Sequence, residues 1–306
     1  MINILSSKKY EYLKRRMLEQ SRCFKDLAIE TKTFPDGEHY WKIANSQELC
    51  NRPAVYISGT VDDESIFELY NIASTLVREQ CSALHIIIPY FGYSTMERSV
   101  KAGEAVTAKN IATLISSIPQ APLGNFVYMM DLHSLGTQYY FENTIHPVHL
   151  TAWNVIKKML HPFGKEIVLA STDMGRAKWI EKMGNELHLE TAYIMKRRIS
   201  GTETEIVALN AEVKNKNVVI FDDMIRSGSS LIHAAEAYKN AGANNIYVVT
   251  IHGVFVAGAI EKLKTCGLIK RILCTNSHIN TQKIDDDFIE IYDISEIFSE
   301  EFIGKA

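Results

Sequence analysis

The chain has 306 residues and a formal net charge of −3, with 46% hydrophobic and 23% charged residues. This composition is typical of a globular protein long enough for two domains, and a chain without a basic excess is a poor candidate for binding nucleic acid. Five cysteines without close pairing indicate a reducing compartment, and no apolar run approaches the roughly 18 residues that span a bilayer, so we expect a cytoplasmic protein without a membrane partner.

Short apolar runs alternate with amphipathic stretches through the first half of the chain. The pattern predicts strands at 54–59, 83–91 and 125–133, with helices at 65–80 and 105–118. In the first of these helices, Leu69, Ile72 and Leu76 recur at the spacing of one helical face. Strands that alternate with helices in this way predict an α/β fold, in which parallel sheets are flanked by helices.

The alternation restarts in the second half of the chain. The pattern predicts helices at 149–160 and 177–187, and strands at 166–175, 191–198, 218–221 and 244–255. No Pro-, Gly- or Ser-rich linker separates the halves. Because the alternation restarts after His146-Pro147, we place a domain boundary near residue 148, with an N-terminal domain at 1–148 and a C-terminal domain at 149–306.

Two adjacent carboxylates, Asp222 and Asp223, follow the apolar run 218–221 and precede a small-residue loop. A helix is predicted to start after that loop, with Ser229 or Ser230 as its cap. A small-residue loop at a helix N-terminus presents free backbone amides and can hold a phosphate, although an ordinary strand-to-helix turn has the same pattern. The acid pair favours a bound sugar phosphate, because carboxylates accept hydrogen bonds from sugar hydroxyls or hold magnesium; the alternative is that one acid pairs with Arg226.

Charged or ionisable residues also lie at the ends of three other predicted strands. The run 196–198, Lys-Arg-Arg, precedes a polar segment and predicts a mobile flap over a polyphosphate, although a charge run is often only solvated. His133 and Asp173 lie at the ends of two further predicted strands and are candidates for a magnesium pair, in which histidine would be an uncommon ligand. Since the carboxyl ends of parallel strands share one edge, these groups are predicted to gather there.

Together these segments resemble the ribose-phosphate pyrophosphokinases. The resemblance is carried, in order along the chain, by FPDGE (34–38), PYFGYSTMER (89–98), MDLHS (130–134), STDMG (171–175), KRR (196–198), VVIFDDMIRSGSSL (218–231) and IHGVF (251–255). It implies two tandem phosphoribosyltransferase-like (type I) α/β domains. The implied reaction transfers the diphosphoryl group of MgATP to the C1 hydroxyl of ribose 5-phosphate, which gives phosphoribosyl pyrophosphate and AMP.

The resemblance also implies roles for individual residues. Lys196 and Arg198 correspond to the flap that stabilises the transferring phosphorus, and His133 and Asp173 correspond to the residues that hold Mg²⁺. A base loop that usually reaches a neighbouring subunit implies a homo-oligomer. The implied ATP-binding residues are Phe34, Asp36, Glu38, Thr95, Met96 and Arg98. The implied ribose-5-phosphate-binding residues are Asp222, Asp223, Arg226, Ser227, Gly228, Ser229 and Ser230.

Two departures from the common form of the family are similar to its plant-type class II. Thr95-Met96 stands where the common form has Arg-Gln, and Arg226-Ser227 stands where it has Asp-Thr. The class II resemblance implies relaxed nucleotide choice, so that other nucleoside triphosphates could replace ATP, and it leaves Arg98 as a candidate for the lost phosphate contact. Two alternatives remain open: a phosphoribosyltransferase that consumes phosphoribosyl pyrophosphate, and a catalytically silent or regulatory paralogue.

Overall fold

The computed structural model describes residues 1–198 and 204–303, without the side chains of 196–198 and 204–209. The chain forms two compact units. The first contains Met1–Ala152 and the C-terminal segment that begins at Ile294, and the second is Trp153–Asp293. The predicted boundary near residue 148 lies inside a strand, because His149 and Leu150 continue a ladder with Met129 and Met130 instead of starting a helix.

The first unit is built on a six-stranded parallel sheet. Its strands are β1 (Ile2–Ser6), β2 (Phe24–Asp26), β5 (Ala54–Ile57), β6 (Leu84–Ile88), β7 (Asn125–Met130) and β8 (Ile145–Leu150), in the spatial order β2-β1-β5-β6-β7-β8. An antiparallel hairpin of β3 (Ile29–Thr33) and β4 (His39–Ile43) lies between β2 and β5 in the chain. All residues of β1 and β5 are buried, as a parallel sheet covered on both faces requires.

The helices described in the first unit are α1 (Glu11–Gln20), α2 (Asp63–Arg78), α3 (Thr107–Ser116) and α8 (Ser295–Glu300). The face of α2 predicted from Leu69, Ile72 and Leu76 is buried in the core, and Asp62 caps the helix by accepting a hydrogen bond from the Ser65 amide at 2.9 Å. The C-terminal helix α8 contacts α1, so the end of the chain returns to the first unit. Short 3-10 turns lie at Lys8–Tyr10, Ser46–Leu49 and Leu135–Tyr140.

The second unit is built on a seven-stranded sheet. Its strands are β9 (Ile167–Ser171), β10 (Glu190–Arg198), β11 (Thr204–Leu209), β12 (Asn217–Ile225), β13 (Ile246–Gly253), β14 (Ile269–Thr275) and β15 (Ile289–Tyr292), in the spatial order β11-β10-β9-β12-β13-β14-β15. Among the named strand pairs of the described residues, β10–β11 is antiparallel and the others are parallel. Its helices are α4 (Trp153–Leu160), α5 (Ala177–Leu187), α6 (Ser229–Asn240) and α7 (Ala259–Thr265), with 3-10 turns at His161–Phe163, Met174–Arg176 and Ile279–Lys283.

Both sheets reverse their strand order once. In the first unit the chain adds β2 on one side of β1 and then places β5 on the other side; in the second it adds β10 and β11 beside β9 and then places β12 on the opposite side. A crevice opens at such a switch point, beyond the carboxyl ends of the two strands, and ligands of doubly wound sheets bind there. Within the residues described, no helix has both the length and the apolar content needed to span a bilayer.

Candidate active site

The acid pair lies inside β12, at the switch point of the second unit. The sequence predicted that the strand ends at Phe221, but it continues to Ile225 because Asp222, Met224 and Ile225 pair with β13. On the other side the ladder with β9 stops at Phe221 and Ser171. Beyond that point β12 therefore borders the crevice on its β9 side, and the two carboxylates are positioned by regular strand structure.

Asp223 is held by an arginine that the sequence analysis did not identify. A guanidinium nitrogen of Arg176 lies 2.6 Å from Asp223 Oδ2, and the two side chains are only 22% and 8% exposed. Arg176 ends the 3-10 turn Met174–Arg176, which Asp173 caps by accepting a hydrogen bond from the Gly175 amide at 2.7 Å. The predicted alternative partner, Arg226, is exposed beyond the end of β12. Sequence reasoning could have found Arg176 from its position, since it directly follows the STDMG segment.

Asp222 has a very different electrostatic environment from an ordinary surface acid. Burial, followed by the charge of neighbouring Asp223, raises the pKa of Asp222 from 3.8 to about 8. The Thr172 hydroxyl donates a hydrogen bond to Asp222 Oδ2 at 3.4 Å, and the Asp223 amide donates to Oδ1 at 3.0 Å. One acid is thus paired with a cation, and the other favours its protonated form. Such a site gains stability when a ligand supplies hydrogen-bond partners or positive charge.

The loop after β12 leads directly into the N-terminus of α6. Gly228 occupies the N-cap position with φ +76°, and no side chain caps the helix there. The prediction of a serine cap is therefore wrong, because Ser229 and Ser230 are already the first two helical residues. The amides of the first turn remain available to an anion, and the helix dipole favours negative charge at this end.

The loop is supported from two neighbouring segments. The amides of Phe255 and Val256 donate hydrogen bonds to the Ile225 and Arg226 carbonyls at 2.9 and 3.1 Å. From α7, the Lys262 ammonium donates to the Ser229 hydroxyl at 2.7 Å. Lys262 was also missed by sequence reasoning, which had no signal that α7 would deliver a second cation to this loop. Together these contacts fix a compact cradle that carries a positive charge.

Side chains that could hold a divalent ion are present in both units. Asp173, at the carboxyl end of β9 in the second unit, is close enough to raise the pKa of Asp222 further. His133 follows β7 in the first unit and is half-buried. Over the described ranges 1–198 and 204–303, no group of three His, Cys, Asp or Glu side chains could hold a metal by itself. Magnesium usually binds one or two carboxylates together with substrate phosphates and water, and the Asp173 carboxylate is a ligand of the type that this ion prefers.

The hairpin β3–β4 presents the predicted nucleotide-base residues. Phe34 is 38% exposed and the Lys32 ammonium lies 4.9 Å from the centre of its ring. The turn is closed by hydrogen bonds from the Phe34 amide to the Glu38 carbonyl at 2.8 Å and from the Glu38 amide to Asp36 Oδ1 at 3.1 Å. This tip is therefore an ordered, exposed turn in the first unit.

The other predicted nucleotide residues lie between β6 and α3 of the first unit. Thr95, Met96 and Arg98 are exposed, and the Arg98 side chain, 80% exposed, lies 3.7 Å from a carboxylate oxygen of Glu97. In the second unit, Lys196 and Arg198 belong to the end of β10, where the backbone pairs with β11. Their side chains lie outside the described part of the structure, as does the segment 199–203 that follows them, so the predicted flap stays a prediction.

Comparison with known proteins matches both halves of the chain. Residues 2–118 match the N-terminal domain of ribose phosphate pyrophosphokinase, and residues 180–303 match the phosphoribosyl synthetase-associated domain. A ribose-phosphate pyrophosphokinase of Thermococcus kodakarensis is 33% identical over 242 residues, which cover 78% of this chain and 82% of that protein. Another, from Fusobacterium nucleatum, is 29% identical, and the match covers 88% of this chain and 84% of that protein.

A protein of known crystal structure also has this fold. The crystal structure of phosphoribosylpyrophosphate synthetase from Mycobacterium smegmatis matches with a TM-score of 0.87 and 18% identity, over 99% of this chain and 98% of that chain. Two doubly wound, mainly parallel sheets, one with an acid pair and a small-residue loop at its switch point, define a tandem α/β fold of the phosphoribosyltransferase type. The chain belongs to the ribose-phosphate pyrophosphokinase family. The predicted fold class and family are confirmed, and the plant-type class II assignment stays a prediction.

Proposed function

We propose that this chain transfers the diphosphoryl group of MgATP to the C1 hydroxyl of ribose 5-phosphate, and releases phosphoribosyl pyrophosphate and AMP. The observation that carries the proposal is the acid pair of β12 beside the uncapped N-terminus of α6. A sugar phosphate needs both features, because its hydroxyls require acceptors and its phosphate requires amide donors and positive charge.

Ribose 5-phosphate is proposed to bind entirely within the second unit. Its phosphate would lie in the loop from Arg226 to Ser230, where the hydroxyl oxygens of Ser227 and Ser229 lie 3.2 Å apart at the start of α6. The vicinal ring hydroxyls would then meet Asp222 and Asp223. With Asp223 paired with Arg176 and Asp222 favouring its protonated form because its pKa is raised, the pair offers both an acceptor and a donor.

In the proposed reaction the C1 oxygen attacks the β-phosphorus of ATP. A new bond joins that oxygen to the β-phosphorus, the bond from the β-phosphorus to the α,β-bridging oxygen breaks, and AMP leaves with that oxygen as the C1 hydroxyl proton is lost. Lys196 and Arg198 are proposed to stabilise the charge that develops on the transferring group. Magnesium, when bound, would neutralise phosphate charge; Asp173 is the proposed carboxylate ligand, and the resemblance adds His133.

The nucleotide is proposed to use residues of the first unit. Phe34, Asp36 and Glu38 form an exposed turn of the kind that could enclose a base, and the exposed guanidinium of Arg98 could contact phosphate. A homo-oligomer in which this turn serves a neighbouring subunit remains part of the proposal. The proposal also includes the class II preference for several nucleoside triphosphates. It includes a cytoplasmic location as well, and that location rests on the five scattered cysteines.

Product analysis tests the proposal. The purified chain is incubated with magnesium, ribose 5-phosphate and each common nucleoside triphosphate, and phosphoribosyl pyrophosphate and nucleoside monophosphate are quantified by phosphorus NMR. We expect both products in equal amounts, and loss of both in Asp223→Asn while the exposed Asp285→Asn remains active. Pyrophosphate release from supplied phosphoribosyl pyrophosphate that depends on an added base would support a phosphoribosyltransferase, and no product with any nucleotide would support the silent paralogue.

A further inference from the structure

Helix α7 brings a lysine to the proposed phosphate loop of the second unit. The Lys262 ammonium donates a hydrogen bond to the Ser229 hydroxyl at 2.7 Å. Ser229 is the first residue of α6 and directly follows Gly228 at the N-cap position. The resemblance that assigned residues 226–230 to ribose 5-phosphate did not include Lys262, so its place beside this loop comes from the tertiary structure alone.

The packing of α7 against the loop fixes where Lys262 lies. Leu263 is fully buried and lies directly against Gly228, where an added Cβ would come within 2.7 Å of the leucine side chain. The segment before α7 is joined to the loop as well, because the amides of Phe255 and Val256 donate to the last carbonyl of β12 and the first carbonyl of the loop. Neighbouring helical residues point about 100° apart, so the burial of Leu263 leaves Lys262 exposed at the rim of the loop.

The charge of Lys262 is not neutralised by an acid. Within the described part of the chain, Lys262 forms no ion pair with a carboxylate. Lys264, two residues further along α7, lies 2.7 Å from Asp286. The hydrogen bond to Asp286, and after it the charges of Asp286 and Glu261, raise the pKa of Lys264, so these two acids act on that lysine. The Lys262 ammonium is therefore available to a bound anion, and lysine binds phosphate well as a point charge.

The contact with Lys262 also sets the direction in which Ser229 can donate. An ammonium group is a donor only, so the Ser229 oxygen accepts the hydrogen bond from Lys262 and the serine proton must point elsewhere. The Ser227 hydroxyl oxygen, 3.2 Å from the Ser229 oxygen, is one possible acceptor. A phosphate oxygen in the loop would be a stronger one, because hydrogen bonds to an ionised acceptor are stronger than those between neutral groups. Lys262 thus prepares Ser229 as a donor to an anion.

We propose that Lys262 determines specificity for the phosphate group of ribose 5-phosphate, by supplying one positive charge to that phosphate and by fixing the Ser229 hydroxyl as a donor to it. This inference rests on the proposed function, because it requires the 5-phosphate to lie in the loop 226–230. The 5-phosphate keeps its contacts while the bond forms at C1, so Lys262 stabilises the bound substrate and the transition state equally. It should therefore act on the KM for ribose 5-phosphate and leave kcat unchanged.

Equilibrium binding tests the assignment without turnover. Ribose 5-phosphate is titrated into the full-length protein by isothermal calorimetry, with magnesium and α,β-methylene-ATP present, because the methylene bridge of this analogue blocks the transfer. Lys262→Met keeps the unbranched side chain without its charge and should raise the Kd for ribose 5-phosphate ~10-fold, as expected for one hydrogen bond to a charged group. Lys262→Arg restores the cation and should recover most of the affinity. Lys264→Met is the matched control on the same helix and should bind like the wild type, since Lys264 pairs with Asp286.

Steady-state kinetics separate this role from a purely structural one. Lys262→Met should raise the KM for ribose 5-phosphate with kcat near that of the wild type, whereas a displaced loop would lower kcat as well. If the wild type makes no phosphoribosyl pyrophosphate but binds ribose 5-phosphate more tightly than Lys262→Met does, the proposed reaction is wrong and the role of Lys262 is supported. Wild-type affinity in Lys262→Met, an equal loss in Lys264→Met, no recovery in Lys262→Arg, or a wild type that does not bind ribose 5-phosphate would each overturn the inference.

Discussion

Replacing Asp222 by asparagine should change how the stability of the protein depends on pH. The Asp222 carboxyl has its pKa raised from 3.8 to about 8 by burial and by the charge of Asp223. Between these values the folded chain binds a proton that the unfolded chain has lost, so the free energy of unfolding falls as pH rises. The stabilisation is fully present below the unfolded pKa and is lost as pH rises through the folded pKa.

The size of the effect follows from the pKa shift and from the exposure of the side chain. Each unit of pKa difference corresponds to about 1.4 kcal/mol, which sets an upper limit of roughly 4 kcal/mol between about pH 5 and the folded pKa of about 8. Because Asp222 retains some exposure to solvent, we expect about half of this limit, ~2 kcal/mol. For a unit of this size, a change of ~2 kcal/mol in the free energy of unfolding corresponds to a change of about 6 °C in the difference in Tm between Asp222→Asn and the wild type.

The assay is thermal denaturation of the ligand-free protein across this pH range. Relative to the wild type, Asp222→Asn should gain stability steadily as pH rises, because an amide cannot ionise. Asp285→Asn, which makes the same chemical change at an exposed position, should track the wild type throughout. If the difference in Tm between wild type and Asp222→Asn stays constant from acid to alkaline pH, the raised pKa of Asp222 is wrong and so is the donor role assigned to it.

Three other substitutions test separate parts of the site. Arg176→Ala should lower the free energy of unfolding by about 3 kcal/mol, since it removes the cation that lies 2.6 Å from buried Asp223; urea denaturation measures this, and a loss no larger than that of an exposed pair would contradict it. Gly228→Ala should raise the KM for ribose 5-phosphate at least ~10-fold, because its φ is +76° and a Cβ would lie 2.7 Å from Leu263. Lys196→Ala should lower kcat at least ~100-fold with nucleotide affinity retained, and near-normal turnover would refute its role.

The sequence determined the repeating α/β architecture and the order of its motifs. Strand and helix periodicity depends on residues close together in the chain, so β5, α2, β12 and α6 could be located from the sequence, as could the acid pair and the loop that follows it. The ends of the elements were less predictable: β12 extends past Phe221 because β13 continues to pair with it, and His149 joins β8 because β7 is beside it. Strand ends are decided by neighbours distant in sequence.

Only the tertiary structure decided the electrostatics of the site. Arg176 and Lys262 reach the acid pair and the loop from separate elements, and no local pattern indicates either contact. The raised pKa of Asp222 likewise depends on the packing around β12, because burial is a property of the folded chain. Sequence therefore supplies the reactive groups, and long-range packing sets their partners, their charge and the space around them.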